Sequence, residues 1–280
     1  MRGSSVGDPL RLRLEALEVR FEIVCEGSRA EDLAASVRNA WDWCLVDPDH
    51  AVVKPPDERL TLALEPDVGA LAAAGTRASL VASDLPTLMD RLSPMITRLA
   101  VTGRKNDLLM FHACAVADPR TGDSVVLYGP SGTGKTTLAR TLCTDLVYLS
   151  DETAGVTAEL DVVPYSKPLS IIVNSGDALK EQVSPGTLGL MPPRDLSFRL
   201  RCLVQLRRDP EHRGDAVLER LATVDALPEL MAQTSYTRHL ERPLHRLADL
   251  AHAVGGVRRV TYAEAEQLRP VVRSLLDGEG

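Results

Sequence analysis

The chain has 280 residues, 44% hydrophobic and 25% charged, a globular composition with enough apolar side chains to build a core. Its net charge of −7 argues against a general nucleic-acid binder, which needs surplus Lys and Arg to neutralise phosphates. No apolar run approaches the about 20 residues of a membrane span, and Met1 to Arg13 lacks the apolar centre of a secretory signal, so a cytoplasmic protein without a membrane partner is expected.

Residues 1–9 read as a disordered start. From Leu10 to Cys25, apolar and charged residues alternate with enough slippage for two short strands or one bulged strand. Ser28-Arg29-Ala30-Glu31 fits a capping box that opens a helix through about Cys44, with Leu33, Val37, Trp41 and Cys44 on its apolar face. Trp41 and Trp43 cannot both lie on that face. Pro48, Pro55 and Pro56 mark a loop over 47–58. Two strands follow, Leu60 to Leu64 and Ala78 to Ala82, joined by small and polar residues. Ser83-Asp84-Leu85-Pro86 then starts a helix with Leu88, Leu92, Ile96 and Leu99 at 3-and-4 spacing; Met89 and Met95 read as core filler. The polar stretch Gly103 to Asp107 divides a smaller N-terminal α/β domain, residues 1–104, from a second domain, residues 105–280.

The second domain opens on Leu108 to Ala117, an apolar strand, and a turn at Asp118 to Asp123 suggests an antiparallel return through Ser124 to Tyr128. There the most informative stretch begins. Gly129-Pro130-Ser131-Gly132-Thr133-Gly134-Lys135-Thr136-Thr137 fits G-x-x-x-x-G-K-[ST], the loop that wraps nucleotide phosphates. The glycines permit backbone angles that turn successive N–H groups inward, and the helix that follows points its positive dipole end at the same anion. Lys135 reaches the β/γ-phosphates, and the Thr136 hydroxyl is placed to ligate Mg²⁺. A nucleoside triphosphate, ATP with Mg²⁺, is the expected ligand.

A triphosphate site needs a carboxylate near its metal. Leu146 to Leu149 reads as a strand ending in Ser150-Asp151-Glu152, and Asp151 lies only fifteen residues beyond Thr136. That spacing suggests that helix and strand run back beside the loop strand. Asp151 or Glu152 would hold Mg²⁺ while the other accepts a proton from an incoming hydroxyl.

These pieces in order, Phe111-His112-Ala113-Cys114-Ala115-Val116, the loop from Gly129 to Thr136, and Tyr148-Leu149-Ser150-Asp151-Glu152, resemble the catalytic domain of HPr kinase/phosphorylase. That family belongs to the P-loop kinases of the phosphoenolpyruvate carboxykinase type, and the resemblance covers residues 108–175. It implies a P-loop domain with a mixed sheet, in which Lys135 stabilises the transferred phosphate and Thr136 binds Mg²⁺. It also implies that Asp151 and Glu152 supply the general base and that His112 modulates proton transfer near the acceptor. Read without it, His112 on an apolar strand is a satisfied core histidine. The pair here is Asp-Glu where the family has Asp-Asp. The family's Arg-Gly-x-Gly segment is absent; Gly186-Thr187-Leu188-Gly189-Leu190 has no preceding Arg. In these respects the chain is closer to the HPr-kinase-like proteins associated with peptide maturation, a resemblance that extends to Tyr165-Ser166-Lys167-Pro168-Leu169-Ser170.

In the remainder, Val156 to Val163 reads as a hairpin, Leu169 to Val173 as a strand, and Gly176 to Arg194 as a long irregular stretch of the kind that is often functional. Arg201 to Arg207 is strand-like, Ala216 to Ser235 and Arg238 to Val254 are helical, and a strand at Val257 to Tyr262 precedes a closing helix, Ala263 to Leu276. Lys167 reads as a surface lysine or as a phosphate contact. Arg194, Arg199, Arg201, Arg207, Arg208 and Arg213 read as a solvated strand edge or as a hold on an acidic acceptor or the phosphates. The five cysteines, Cys25, Cys44, Cys114, Cys143 and Cys202, lack C-x-x-C spacing and read as core residues, not as a zinc site or disulfide framework.

Together these readings predict an ATP- and Mg²⁺-dependent kinase acting on a Ser- or Thr-type hydroxyl of a peptide or protein, with homo-oligomerisation left open. Two alternatives stand beside it: a nucleotide-sensing interaction protein with little turnover, and a kinase of a small molecule such as an amino acid or sugar.

Overall fold

A computed structural model describes residues 9–46, 55–65, 79–172, 179–194 and 196–278. They fall into two compact units, Met1–Ala100 with Lys167–Thr187, and Val101–Ser166 with Leu188–Gly280. Both combine helices with sheets that mix parallel and antiparallel pairs, so the chain is an α/β protein.

The first unit is built on a four-stranded sheet in the order β1 (Leu10–Ala16), β2 (Val19–Glu26), β3 (Glu58–Leu64), β4 (Leu80–Ala82). β1 and β2 are separate strands of a hairpin, joined by Leu17 and Glu18 with φ of 51° and 62°. A two-residue turn that follows the twist of its strands needs positive φ at both positions, normally supplied by Asn or Gly. Here Leu17 is fully buried, so apolar burial offsets the backbone strain.

β2 and β3 are parallel and therefore need a crossover, which α1 (Ala30–Ala40) provides. Its face is the expected one, with Leu33, Val37, Trp41 and Cys44 all buried, while Trp43 is half-buried. The capping box is not made. Arg29 is the N-cap of the helix, with no side-chain cap bond, and the helix stops at Ala40 before a 3₁₀ turn at Asp42–Cys44. The second helix, α2 (Leu85–Gly103), is capped as its sequence suggests: Asp84 Oδ1 accepts the Thr87 N–H at 2.8 Å. The expected loop at 47–58 and the connection before β4 fall mostly outside the described residues. The described part of the long stretch after Val173 is partly regular: β11 (Glu181–Val183) pairs with β10 (Leu169–Ile171). β11 also lines a cavity of about 850 Å³ with Ser36 and Asn39 of α1 and Leu85 and Met89 of α2.

The second unit has an eight-stranded sheet in the order β13 (Val217–Leu221), β14 (Val257–Tyr262), β12 (Arg199–Arg208), β6 (Asp123–Tyr128), β5 (Leu109–Ala117), β8 (Thr153–Val156), β9 (Val162–Val163), with β7 (Val147–Ser150) also on β5. β5 and β6 form the expected antiparallel pair, and β6, β12 and β14 are parallel. Both faces of the central strands are covered, which is why they read as continuous apolar runs. Leu109, Phe111, Ala113, Ala115 and Ala117 share a core with Ala226 and Leu230 of α4 (Thr223–Ala232) and Leu247 and Leu250 of α5 (Pro243–Ala253). Alternation sends His112 and Cys114 to the opposite face, where α3 (Lys135–Leu142) packs on β5. α6 (Leu268–Leu276) packs on β6 and β12 and is tied to the α3 end by Arg273, which bonds the Asp145 carbonyl at 3.0 Å.

Three sequence expectations are corrected. β7 does not lie beside the loop strand: both edges of β6 are taken, by β5 and β12, so β7 pairs with β5. Val217–Leu221 is an edge strand on β14, not the start of a helix; its pairing sets Leu218 opposite Val260 and joins Glu219 to Arg259 at 3.1 Å. The next helix starts at Pro243, not Arg238, because Arg242 takes the left-handed region (φ 50°) and proline suits the first helical position.

Candidate functional site

β6 delivers the chain to Gly129, where a Cβ would stand 3.2 Å from both the Cβ and the carbonyl oxygen of Leu206 on β12. Only glycine fits there without moving that neighbour. Gly132 and Gly134 have φ of 87° and 85°, and Gly134 is the N-cap of α3. The loop is internally braced: Thr133 Oγ1 donates to the Pro130 carbonyl at 2.9 Å, and the Tyr262 hydroxyl donates to the Thr133 carbonyl at 2.6 Å. Pro130, Ser131 and Gly132 are exposed, as is Thr137 on the outer side of α3.

Lys135 is 6% exposed and its Nζ donates to the Gly129 and Pro130 carbonyls at 2.6 and 2.9 Å. Burial lowers its pKa; Cys114, Asp151 and Glu152 pull the other way. Its neighbour Thr136 donates from Oγ1 to Asp151 Oδ2 at 2.8 Å. The other carboxylate oxygen, Oδ1, accepts from the Tyr148 hydroxyl at 2.9 Å.

The acid reaches this place because of how β7 and β8 meet. Both are antiparallel to β5 and share one register from Ser150, opposite Ala115, to Thr153, opposite His112, the register shift falling between Ser150 and Tyr148; Asp151 and Glu152 form the joint between the two strands. Ser150 Oγ holds that joint by accepting from the N–H groups of Glu152 (3.3 Å) and Thr153 (3.0 Å). Since β5 is antiparallel to both β6 and β7, those two strands run the same way and end on the same side. Loop and acid thus meet across one intervening strand.

His112 joins the group from β5. Its N–H donates to the Gln233 carbonyl at 2.7 Å, and its half-buried ring is influenced by Lys135, Glu152 and Asp151. Burial, then the Lys135 charge, lowers its pKa against the pull of Glu152 and Asp151, which keeps the imidazole neutral near pH 7. Lys135, Thr136, Asp151, Glu152 and His112 are therefore brought together.

The six arginines do not gather there as one group. Arg199 is 3.9 Å from Asp161, and Arg201 is 2.6 Å from Asp123, the first residue of β6. The loop follows the other end of that strand, roughly 17 Å away at the usual rise per residue. Arg213 pairs with Glu211, and Arg208 lies at the loop end, donating from Nε to the Ala263 carbonyl at 2.9 Å. Lys167 is not a surface lysine: it is 1% exposed, and its Nζ donates to the Pro168 carbonyl at 3.0 Å. The 850 Å³ cavity belongs to the first unit and contains none of the residues that the motif nominates.

Two tyrosines of the site escape a sequence reading. Tyr262 ends β14, and only the strand order brings it to the loop. Tyr148 left a signal, a polar-tipped ring three residues before Asp151 on a strand whose Val147 and Leu149 turn to the apolar core. For a metal, the Thr136 hydroxyl and the Asp151 and Glu152 carboxylates are hard oxygen donors suited to Mg²⁺, which takes few protein ligands. No group of three or more His, Cys, Asp or Glu among the described residues suits a protein-only metal cage.

What the described residues define is an α/β protein with mixed sheets; none of its helices is long and apolar enough to cross a membrane. No family model matches the chain, and no curated protein matches it. Among solved structures, the Hpr(Ser) kinase/phosphatase from Coxiella burnetii is a weak structural neighbour, with a TM-score of 0.31 and 11% identity over 60% of this chain and 94% of that one.

Proposed function

We propose that the chain is an ATP- and Mg²⁺-dependent kinase that transfers the γ-phosphate to a Ser- or Thr-type hydroxyl of a peptide or protein. In this proposal the unit of Val101–Ser166 with Leu188–Gly280 forms an HPr-kinase-like catalytic domain, in place of the 105–280 read from the sequence, and the unit of Met1–Ala100 with Lys167–Thr187 serves recognition. The observation that carries it is the 2.8 Å bond from Thr136 to Asp151, which unites the Ser/Thr position that ends a phosphate-loop motif with an acid fifteen residues on. That bond commits the Thr136 proton to the carboxylate and leaves the Oγ1 lone pairs for a cation. Mg²⁺ held by Thr136 with Asp151 or Glu152 would neutralise charge on the β- and γ-oxygens.

In the proposed reaction the backbone N–H groups from Ser131 to Thr136 enclose the phosphates, and Lys135 exchanges its loop carbonyls for phosphate oxygens. The Asp151/Glu152 pair takes the proton of the acceptor hydroxyl. The acceptor oxygen forms a bond to the γ-phosphorus as the bond from that phosphorus to the bridging oxygen breaks, and ADP leaves. His112, neutral and beside the pair, is placed to exchange that proton.

The test is ADP release with Mg²⁺, with and without peptides encoded by neighbouring genes, followed by intact-mass analysis of those peptides. Metal-dependent release that rises with a peptide, together with a phosphoryl mass gain, supports the kinase. Nucleotide binding without product, unaltered by Asp151→Asn, makes the chain a sensor. Product on a free amino acid or sugar alone makes it a small-molecule kinase.

A further inference from the structure

Tyr148 has no role in the reaction just described, yet its hydroxyl bonds Asp151 directly. It is fully buried on β7. Its backbone is fixed on both sides: its N–H donates to the Met191 carbonyl at 2.9 Å, and its carbonyl accepts from Ser166 Oγ at 3.2 Å. Strand alternation turns Val147 and Leu149 into the apolar core and the Tyr148 ring toward α3. A phenylalanine would fill the same space. What it would lack is the 2.9 Å hydrogen bond from the phenol to Asp151 Oδ1.

We infer that Tyr148 is a positioning residue, whose phenol fixes the Asp151 carboxylate in the orientation that presents Oδ2 to Thr136. The terminal torsion of an aspartate is broad, so one donor on Oδ2 leaves the group free to rock. A second donor on Oδ1, mounted on a strand held by Met191 and Ser166, removes that freedom. Burial and the Asp151 charge push the phenol's pKa well above its ordinary value, so it remains a donor throughout the working pH range. The ordering of a carboxylate by a buried partner of this kind typically matters 10–100-fold, roughly, to the metal affinity or activity of a site.

The consequence for metal binding rests on the phosphotransferase reading, whereas the contact itself does not, and two measurements keep them apart. In protein labelled with ¹³C at tyrosine Cζ, the Tyr148 resonance is identified by its loss in Tyr148→Phe and followed in Asp151→Asn. It should move more than those of the other tyrosines; a resonance that stays in place overturns the inference. Tyr148→Phe should retain the wild-type circular dichroism spectrum and its affinity for the ATP analogue AMP-PNP. Its affinity for Mn²⁺, read by electron paramagnetic resonance with AMP-PNP present, should fall about 10–100-fold. Unchanged Mn²⁺ affinity with a lowered unfolding temperature returns Tyr148 to the packing of the core. If the wild-type chain binds neither AMP-PNP nor Mn²⁺, the phosphotransferase reading fails and the resonance alone decides the positioning role. Should Tyr148→Phe not fold, the same resonance is assigned through the backbone of Val147 to Leu149, and the Asp151→Asn comparison stands.

Discussion

Asp151→Asn probes the site with the least change of shape. The carboxylate is 4% exposed and accepts hydrogen bonds on both oxygens, among them one from Thr136 at 2.8 Å and one from Tyr148 at 2.9 Å. An amide keeps one acceptor oxygen and turns an NH₂ toward the other donor. One hydroxyl must therefore reverse and accept. Bonds to a charged group are worth about 1.5–3 kcal/mol and neutral ones about 0.5–1.5, so weakening two costs up to about 2–3 kcal/mol before any relief from removing a buried charge. With roughly 2–4 °C per kcal/mol for a chain of this size, the unfolding temperature should fall by no more than about 12 °C. Turnover should suffer far more: loss of a general base is typically worth 10²–10⁴-fold, roughly, and a reversed Thr136 hydroxyl would aim its proton at the cation. The assay is steady-state ADP release beside AMP-PNP titration and thermal unfolding. Turnover within about tenfold of wild type, with AMP-PNP affinity intact, would refute the assignment of Asp151 to the reaction.

Three further outcomes are expected. Lys135→Ala should lower phosphoryl transfer by at least about 10²–10³-fold in the same assay, because a charge aimed at the transferred group is lost; near-full turnover would contradict its role. The His112 pKa is lowered in the folded chain, so the unfolded chain binds the extra proton first. Stability is therefore full above the ordinary histidine value of about 6.5 and is lost as pH falls from there through the lowered folded pKa. Urea unfolding at pH 7.5 and 5.5 should show a smaller acid loss in His112→Gln than in wild type, and equal losses would remove His112 from the account. At the β1–β2 turn, Glu18→Gly relieves a left-handed exposed residue and should stabilise by about 1 kcal/mol, whereas Leu17→Gly empties a buried site and should cost about 2–5 kcal/mol. Urea unfolding distinguishes the two, and a stabilised Leu17→Gly would contradict the burial argument.

The loop from Gly129 to Thr136 was legible because the features of its motif are local. Gly129, Gly132, Gly134, Lys135 and Thr136 carry their requirements within a few consecutive residues, and strand, loop and helix follow one another as the motif demands. Asp151 was legible from spacing, although through the wrong neighbour: β5 lies between the two strands, and the acid arrives because β6 and β7 end on the same side. What depends on strand order was not legible. Tyr262 belongs to a strand two places from β6, and six arginines that cluster in sequence separate along the length of β12 and beyond it. Val217–Leu221 alternates too weakly to declare a strand and becomes one by pairing with β14. The Ser28 capping box is not formed: Arg29, one residue later, is the N-cap.

The central claim is that the loop and the acid beside it hold a nucleotide and its metal. The most direct measurement is a crystal structure with AMP-PNP and Mn²⁺, collected where manganese scatters anomalously. The account predicts the β- and γ-phosphates within the loop from Gly129 to Thr136 and an anomalous peak beside Thr136 Oγ1, on the side that Asp151 and Glu152 face. Nucleotide bound elsewhere, or manganese that none of these three residues approaches, would contradict it.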